Sequence, residues 1–313
     1  MEDQPICYFN GAFIPLADAR IGIMTHAFNY GTACFEGIRA YWNAELRQLY
    51  TFRLRDHIER LRRSSRLLMI DLPHSVDELC ELTQDLLRVN RFETDAYVRP
   101  LAYKASEVVG VRLHGLEDGF LIFTVPFGDY IEATGGIRAM VSSWRRIDDN
   151  AAPSRAKLTG TYVNAALAKS EAVLNGFDEV IMLTDDGHVC EGSAENIFLV
   201  AGGKLITPPV SDNILVGITR STVIQLARDD LNLVVRERRV DRSELYGADE
   251  VFLCGTGAQI IPVAEIDHRP IGDGGVGPLT ASIAGCYNDV VRGAENRYHS
   301  WLSAVYKQEP SRR

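Results

Sequence analysis

Several features that would identify common classes of protein are missing from this sequence. Its six cysteines are scattered without a CxxC pair, so neither a zinc site nor a redox motif is indicated, and reduced, mostly buried thiols are expected. No apolar run approaches the roughly 18 residues that a membrane-spanning helix needs. A net charge of −9 disfavours general affinity for nucleic acid, because phosphate backbones require a basic face. We therefore expect small-molecule substrates, no metal, and no nucleic-acid or membrane partner.

Two further shortages narrow the function. The start of the sequence is acidic and lacks the basic stretch and apolar core of a secretory signal, so a cytoplasmic protein is expected. Lysine is scarce, because most of the cationic residues are arginine. The lysines are Lys104, Lys157, Lys169, Lys204 and Lys307. Few side chains can therefore serve as an amine nucleophile.

Length and element patterns indicate two domains. A chain of 313 residues, 46% apolar and 24% charged, has globular composition and exceeds the size at which one core usually keeps growing. Strand and helix patterns are mixed without strict alternation, which favours an α+β fold over a doubly wound sheet. We predict a smaller N-terminal α/β domain at 1–127, an interdomain loop at 128–136 and a larger C-terminal domain at 137–313.

Local patterns predict individual elements. Asn10-Gly11 is a hairpin turn signal, and Ser75 followed by Glu78 forms a capping-box pattern at a helix start. Another helix is expected from about Tyr162 to Gly176, a glycine typical of the position after a helix. A meander is predicted from the strands 179–183, 196–200 and 205–207.

The segment around Lys157 is the most informative one. This lysine lies in a Gly-broken loop just ahead of the predicted helix, and an isolated lysine of this kind is usually a solvated surface residue. Further along, however, Glu191 and Glu195 flank a run of small residues between two predicted strands. Small residues allow a flat, bulky group to approach the backbone, although a surface hairpin turn would also use them.

Two glycine–threonine segments together indicate a phosphate-binding cup. Gly217-Ile218-Thr219 opens a helix and Gly255-Thr256-Gly257 follows a strand, so each offers backbone N–H groups and a hydroxyl. Each segment is weak alone, because helix caps and strand-end turns use the same residues. Neither matches the dinucleotide or P-loop signature, and a nicotinamide-dependent reductase is disfavoured. An amine nucleophile, an acid and phosphate donors are the parts that a pyridoxal 5′-phosphate (PLP) site needs.

The order and wording of these segments resemble the fold-type IV PLP enzymes, and within them the branched-chain-amino-acid aminotransferases, from about Tyr8 to about Tyr287. The resemblance implies a two-domain, D-amino-acid aminotransferase-like fold with PLP at the domain interface. It implies that Lys157 is the Schiff-base lysine and proton shuttle, and that Glu191 pairs with the pyridinium nitrogen of PLP. The further cofactor-binding residues that it implies are Tyr162 at O3′, Glu195 in support of Tyr162, and Arg60, Ile218, Thr219 and Thr256 at the phosphate. Without the resemblance, Arg60 would be assigned to a solvated helix face.

The N-terminal half resembles the substrate pocket of the same family. By that resemblance Tyr30 and Phe35 form an apolar wall and Arg99 takes the side-chain carboxylate of glutamate, whereas ordinary sheet packing is the alternative. An aliphatic-Gly-aliphatic triplet at 109–111 borders the site of the neighbouring subunit, which implies a homodimer or a higher homo-oligomer. The substrate-binding residues that the resemblance implies are Tyr30, Phe35, Gly37, Arg39, Tyr97, Arg99, Val109, Val111, Tyr130, Gly257 and Ala258.

The implied activity is branched-chain-amino-acid transamination (EC 2.6.1.42) in amino-acid biosynthesis. Leucine, isoleucine or valine exchanges its amino group with 2-oxoglutarate, reversibly and by a ping-pong mechanism, giving a branched-chain 2-oxo acid and L-glutamate. A D-amino-acid or (R)-amine transaminase or an aminodeoxychorismate lyase would share Lys157 and Glu191, but the Arg-x-His pattern of D-amino-acid aminotransferases is not found at Arg99. A PLP- or phosphate-binding protein without turnover is a further alternative. Phe127 stands where close relatives often have tryptophan, which would widen the pocket.

Overall fold

The computed structural model describes residues 4–128 and 135–307, which pack as two compact units. Of the described residues, the first unit contains 4–128, 156–160 and 289–307, and the second contains 135–155 and 161–288. Within the described ranges, none of the helices has the length and hydropathy of a transmembrane segment.

The helices and strands are numbered here in chain order. The helices are α1 (His26–Tyr30), α2 (Leu54–Leu67), α3 (Val76–Asn90), α4 (Tyr162–Leu174), α5 (Ile218–Asp229), α6 (Arg242–Tyr246) and α7 (Pro278–Val291). The strands of the first unit are β1 (Ile6–Phe9), β2 (Ala12–Pro15), β3 (Ala33–Phe35), β4 (Ile38–Asn43), β5 (Gln48–Phe52), β6 (Ala96–Lys104), β7 (Asp118–Pro126) and β16 (Leu302–Ala304). The strands of the second unit are β8 (Ile137–Arg145), β9 (Glu179–Leu183), β10 (Asn196–Ala201), β11 (Lys204–Thr207), β12 (Val235–Glu237), β13 (Glu250–Gly255), β14 (Gln259–Ile266) and β15 (Arg269–Pro270).

The first unit contains an antiparallel sheet covered by α2 and α3. Its strand order is β16-β5-β4-β6-β7-β1-β2, with β3 paired to β6. The predicted turn at Asn10-Gly11 is confirmed, because both residues have positive φ (45° and 104°) and join β1 to β2. The predicted capping box is also confirmed at the start of α3, where Ser75 and Glu78 bond each other's backbone N–H groups. Apolar residues of α2 and α3, such as Leu61 and Leu79, are fully buried in the core against the strands.

The last described residues belong to the first unit. The guanidinium of Arg292 donates to both carboxylate oxygens of Asp95, at 3.1 and 3.0 Å, and β16 extends the sheet beside β5. The side-chain amide of Gln48 donates to the carbonyl of Tyr306 at 2.7 Å. The packed units therefore differ from the contiguous ranges 1–127 and 137–313, which stay a sequence-based prediction, and Tyr130 of the predicted loop lies outside the described residues.

The second unit contains a mixed sheet with cores on both faces. Its strand order is β12-β11-β10-β13-β14-β8-β9, with β15 paired to β14. Side chains alternate along β10: Ile197 and Leu199 enter one core, and Phe198 and Val200 enter the other, where they pack with Val223 of α5. The predicted helix from about Tyr162 is confirmed as α4, which ends shortly before Gly176.

The predicted meander is wrong in its first strand. β9 pairs in parallel with β8 at the edge of the sheet, whereas β10 and β11 form the expected antiparallel pair further along. The cause is the crossover through α4, whose Ala168 and Ala172 pack with Val180 and Met182 of β9. A fully buried strand such as β9 appears in the sequence as an apolar run. Such a run does not show which strand pairs with it.

The capping box predicts a measurable loss of stability for Ser75→Ala. The variant loses the hydroxyl that accepts the Glu78 N–H at 3.2 Å, so we expect the free energy of unfolding, measured in urea, to fall by about 1 kcal/mol. Ser282→Ala is the matched control, since its hydroxyl bonds the Pro278 carbonyl on an exposed helix surface and its loss should change stability by less than about 0.5 kcal/mol. Equal losses in the two variants would contradict the capping role.

Candidate active site

Lys157 lies in a short extended segment beside β3 of the first unit. The Phe35 N–H donates to the Lys157 carbonyl at 3.0 Å, and the Lys157 N–H donates to Ser64 Oγ at 3.2 Å. The next residue, Leu158, forms an antiparallel bridge with Cys34. The lysine side chain is half-buried, with Nζ 5.1 Å from the centroid of the Phe35 ring. The main chain of Lys157 is thus held on two sides, and the amine extends from a fixed position.

Two glycines allow this segment to approach the start of β3. A Cβ on Gly31 would lie 2.7 Å from the Cα of Gly160, and Gly31 has a φ of 65°, which other residues rarely adopt. The hydroxyl of Thr159 donates to the Gly31 carbonyl at 3.0 Å. The Gly-broken loop ahead of a helix, predicted around Lys157, is therefore confirmed, because α4 begins two residues after Gly160 at Tyr162.

One face of α2 carries a buried ionic cluster. Glu36 has no exposed surface and accepts hydrogen bonds from Nε and Nη2 of Arg60, both at 2.7 Å. The Nδ1 of His57, one turn before Arg60, lies 2.7 Å from Glu36 Oε2. Arg60 is 6% exposed, so it is not part of a solvated helix face.

The charges of this cluster follow from its burial. Burial alone would raise the pKa of Glu36, but the charge of Arg60 and the hydrogen bonds from Arg60 and His57 outweigh it and lower the pKa to about 2. Burial lowers the pKa of His57, and its contact with Glu36 does not offset this. At neutral pH the cluster holds an ionised Glu36, a cationic Arg60 and a neutral His57. The His57 Nδ1–H then donates to Glu36, because an ionised carboxylate can only accept.

In the second unit, Glu191 is a buried carboxylate with one ion-pair partner and two hydrogen-bond donors. Its Oε1 lies 2.9 Å from Arg146 Nε, and its Oε2 accepts from Asn196 Nδ2 at 3.1 Å and from the Leu215 N–H at 3.0 Å. Its backbone lies beside β9, because the Met182 N–H donates to the Glu191 carbonyl at 2.8 Å. The carboxylate is therefore held in one orientation.

The turn that follows Glu191 brings Glu195 back towards the same strand. The Gly192 N–H donates to the Glu195 carbonyl at 2.7 Å, and the Ala194 N–H donates to Glu195 Oε2 at 3.0 Å. A Cβ on Gly192 would lie only 3.0 Å from that carboxylate oxygen. The run of small residues thus forms a tight turn between the antiparallel partners Glu191 and Asn196, as the hairpin alternative predicts, but Glu195 within it is buried.

The predicted phosphate segments occupy two chain turns of the second unit. Ile218 and Thr219 are the buried first residues of α5, and the N–H groups of a first helical turn have no acceptor within the helix. A Cβ on Gly217 would lie 2.0 Å from Asn196 Oδ1, so glycine lets the start of α5 lie against Asn196. The second segment, Thr256–Ala258, is the three-residue turn between β13 and β14.

The predicted substrate residues on the first sheet form a stacked group. The guanidinium of Arg99 lies 4.4 Å from the Phe35 ring centroid and donates to the Tyr97 hydroxyl at 2.6 Å. A Cβ on Gly37 would lie 2.3 Å from that hydroxyl, so the glycine leaves room for Tyr97. The structure therefore brings together the apolar ring and the arginine that the sequence assigns to side-chain recognition.

Arg39, also predicted to bind substrate, contacts the residues that follow β7. Its Nη2 donates to the carbonyls of Phe127 and Gly128, at 3.3 and 3.0 Å, and its guanidinium lies 5.1 Å from the centroid of the Phe127 ring. Only 1% of Arg39 is exposed. These contacts hold the end of β7 in place, and a direct contact of Arg39 with substrate stays a prediction.

The triplet at 109–111 forms an exposed loop with an anchored centre. The Gly110 N–H donates to the Tyr30 hydroxyl at 3.0 Å, and its carbonyl lies 2.7 Å from Nε2 of the buried His26. Val109 and Val111 on either side are 87% and 78% exposed. A fixed backbone thus presents two aliphatic side chains to the surroundings.

Sequence reasoning missed several partners of the site groups. Arg146, Asn196, Glu36 and Ser64 contact Glu191, Arg60 or Lys157, yet none was selected from the sequence. Asn196 follows Glu195 directly and could have been found from the end of that segment. Glu36 lies between the selected residues Phe35 and Gly37 and could have been found from that segment, whereas Arg146 and Ser64 belong to no motif and only the fold brings them to their partners.

The model for the class IV amino-transferase family matches residues 33–266, which is more than half of the chain. The matched range contains Lys157, Glu191 and both glycine–threonine segments. The chain belongs to the class IV amino-transferases, and the predicted α+β fold of this class is confirmed.

More specific similarities extend over nearly the full length. A probable branched-chain-amino-acid aminotransferase of Aquifex aeolicus is 49% identical over 299 residues, which cover 96% of both chains. The crystal structure of a branched-chain aminotransferase from Thermoproteus uzoniensis with norvaline is 44% identical with a TM-score of 0.92, covering 96% of this chain and 99% of that chain. That of a branched-chain amino acid aminotransferase from Thermobaculum terrenum in PLP form is 40% identical with a TM-score of 0.93, covering 98% and 100%.

The buried cluster predicts acid sensitivity. Because the folded pKa of Glu36 lies below its ordinary 4.5, ionised Glu36 stabilises the fold above that value, and this stabilisation is lost as the pH falls from about 4.5 towards 2. The lowered pKa of His57 acts in the same direction, starting as the pH falls through its ordinary 6.5. We expect Glu36→Gln to lower the free energy of unfolding at neutral pH by about 3 kcal/mol and to flatten its fall below pH 4.5.

Urea unfolding between pH 7 and pH 3 measures this dependence, since it gives the free energy of unfolding at each pH. Glu81→Gln, the same change at an exposed position of α3, is the control and should keep the wild-type profile. Identical slopes for wild type and Glu36→Gln below pH 4.5 would show that another group causes the acid sensitivity.

Proposed function

We propose that this chain is a PLP-dependent transaminase that exchanges the amino group of leucine, isoleucine or valine with 2-oxoglutarate. Lys157 carries the proposal, because the similarity to branched-chain aminotransferases runs across it and its main chain is held on two sides by Phe35 and Ser64. A D-amino-acid or (R)-amine transaminase or an aminodeoxychorismate lyase is not favoured, since the near-full-length relatives are named branched-chain aminotransferases.

The donor set of each unit fits PLP. The first unit offers the primary amine of Lys157, whose main chain is held by Ser64, and the buried guanidinium of Arg60 for a phosphate dianion. The second unit offers a buried carboxylate, Glu191, and the helix start at Thr219, whose N–H groups favour anions. PLP, when bound, supplies an electron sink for the electron pair that is left on the amino-bearing carbon when this carbon loses its proton.

The residues then take the following proposed parts. Lys157, whose main chain is held by Ser64, would hold the cofactor through its amine and would carry the proton that transamination moves. Glu191 would pair with the ring nitrogen, and Arg146 and Asn196 keep its carboxylate in place. Tyr162, at the start of α4, would hold O3′ of the cofactor, with Glu195 in support. The phosphate is held by Arg60, Ile218, Thr219 and Thr256.

The pocket must accept an aliphatic and an acidic side chain in turn. We assign the aliphatic chain to the apolar wall of Phe35 and Tyr30, and the glutamate side chain to Arg99, whose guanidinium is fixed by Tyr97. Backbone N–H groups of the Thr256–Ala258 turn would take the α-carboxylate that all substrates share. The partners of the enzyme are therefore amino acids and 2-oxo acids.

We further propose a homodimer, or a higher homo-oligomer, located in the cytoplasm. Val109 and Val111 are highly exposed, as are Ile23 (83%) and Phe28 (69%), which lie on either side of His26 in the chain, and the His26 ring contacts Gly110 of the same loop. Exposed apolar side chains that lie together are typical of an interaction site. A second copy of the chain covers these side chains, and the two valines border the site of that copy.

The first prediction of this proposal is spectroscopic. Purified protein with PLP should show a near-visible absorbance band that L-leucine converts to the pyridoxamine form and that 2-oxoglutarate restores. Lys157→Ala should lose the band and the turnover, because it removes the amine, whereas Lys204→Ala, the same change at an exposed lysine, should keep both. A band that responds only to a D-amino acid or an (R)-amine would retain Lys157 and reject the substrate class, and no band with added PLP would reject the function.

The second prediction concerns the shared site. We expect a Val109→Asp/Val111→Asp double variant and Lys157→Ala each to lack activity, and activity to reappear when the two chains are co-expressed and purified as a mixed oligomer. In the mixed oligomer, the Lys157→Ala chain supplies an intact 109–111 loop to a neighbour that has an intact lysine. Val234→Asp, at an exposed valine outside this loop, is the control and should be active alone. If the mixed oligomer forms without activity, the valines do not complete the neighbouring site.

A further inference from the structure

Ser64 is a buried residue of α2, one helical turn after Arg60. It is 1% exposed and follows Arg60 by four residues, so the two side chains lie on the same face, about 6 Å apart along the helix axis. Arg60 is fixed by its two hydrogen bonds to Glu36. A residue that contacts Ser64 is therefore held at a fixed distance from Arg60.

The contact of Ser64 is the main chain of Lys157. Ser64 Oγ accepts the Lys157 N–H at 3.2 Å, and on the other side Phe35 donates to the Lys157 carbonyl at 3.0 Å. A buried backbone N–H needs an acceptor, and Ser64 provides it from a helix instead of from a neighbouring strand. The lysine is thus tied to α2 as well as to β3.

We propose that Ser64 is a positioning residue for Lys157, and that α2 sets the distance between the phosphate arginine and the reactive amine. This inference rests on the proposed function, in which Arg60 binds the phosphate and Lys157 binds the cofactor covalently. Arg60 and Ser64 are one turn of α2 apart, so the helix would fix the distance between the phosphate site and the amine of Lys157 before the substrate binds. Preorganisation of this kind accelerates a reaction by removing the search for the productive geometry.

The neighbouring residue gives a matched comparison. Ser65 is 2% exposed, and its hydroxyl donates to the Leu61 carbonyl at 2.9 Å and lies 3.3 Å from Cys34 Sγ. Both serines are buried on α2 and both have hydrogen-bonded hydroxyls, but Ser64 is the one bonded to Lys157. A loss that only reflects helix packing should therefore be similar in Ser64→Ala and Ser65→Ala.

The experiment compares Ser64→Ala, Ser64→Cys and Ser65→Ala as holoenzymes. Three quantities are measured: the dissociation constant of PLP, the share of bound PLP that borohydride fixes to Lys157, and the single-turnover rate and KM with L-leucine. For Ser64→Ala we expect weaker PLP binding, a smaller fixed share, and a turnover rate lower by between about tenfold and about a hundredfold, with KM little changed. Ser64→Cys, a close match in shape with a weaker acceptor, should be intermediate, and Ser65→Ala should match the wild type.

The outcomes separate the positioning role from the proposed function. If the wild type turns over L-leucine while Ser64→Ala behaves like Ser65→Ala in all three measurements, the positioning role is rejected and the transaminase stands. If Ser64→Ala cannot be purified folded, Ser64→Cys decides, and wild-type values in that variant reject the role. A wild type that neither binds PLP nor converts L-leucine rejects the proposed function itself.

Discussion

The first unit depends on one constraint: a carboxylate without exposure to water must have its charge compensated inside the protein. Glu36 meets this requirement with the guanidinium of Arg60 and the ring of His57. Glu36 directly follows Phe35, the strand residue that bonds to Lys157, so the ion pair fixes α2 against that strand. A weaker cluster would let helix and strand move apart, and the proposed phosphate ligand and amine would lose their common frame. The buried ion pair between Glu36 and Arg60 thus sets the relative positions of α2 and β3, and with them the proposed positions of Arg60 and Lys157.

The second unit also contains a buried carboxylate, Glu191, whose charge is compensated by a different set of groups. Glu191 is held by a cation, a side-chain amide and a backbone N–H, so no single partner decides its orientation. Asn196 connects this carboxylate to the start of α5, because its amide lies where a side chain on Gly217 would be. The carboxylate and the helix start are therefore coupled through one residue, and a change at Asn196 disturbs both.

Local chemistry explains which parts of the molecule the sequence predicts. The turn at Asn10-Gly11, the capping box at Ser75 and the loop before α4 each depend on residues a few positions apart, and all three are found. The neighbour of β9 was predicted wrongly, because a crossover through α4 pairs strands that are distant in the chain. Arg146 was not predicted for the same reason: a charged residue outside any motif can be assigned a role only from the partner that folding brings to it. The roles of the site residues stay predictions.

Strand β16 has a consequence for the order in which the chain can fold. It pairs with β5 at one edge of the first sheet, although it follows the whole of the second unit in the chain. During synthesis on the ribosome, β5 therefore lacks its partner β16 until the second unit has been synthesised. An unpaired edge strand is a template for association with other chains, so nascent chains are most prone to aggregate during that interval. The unit that is synthesised first is completed last.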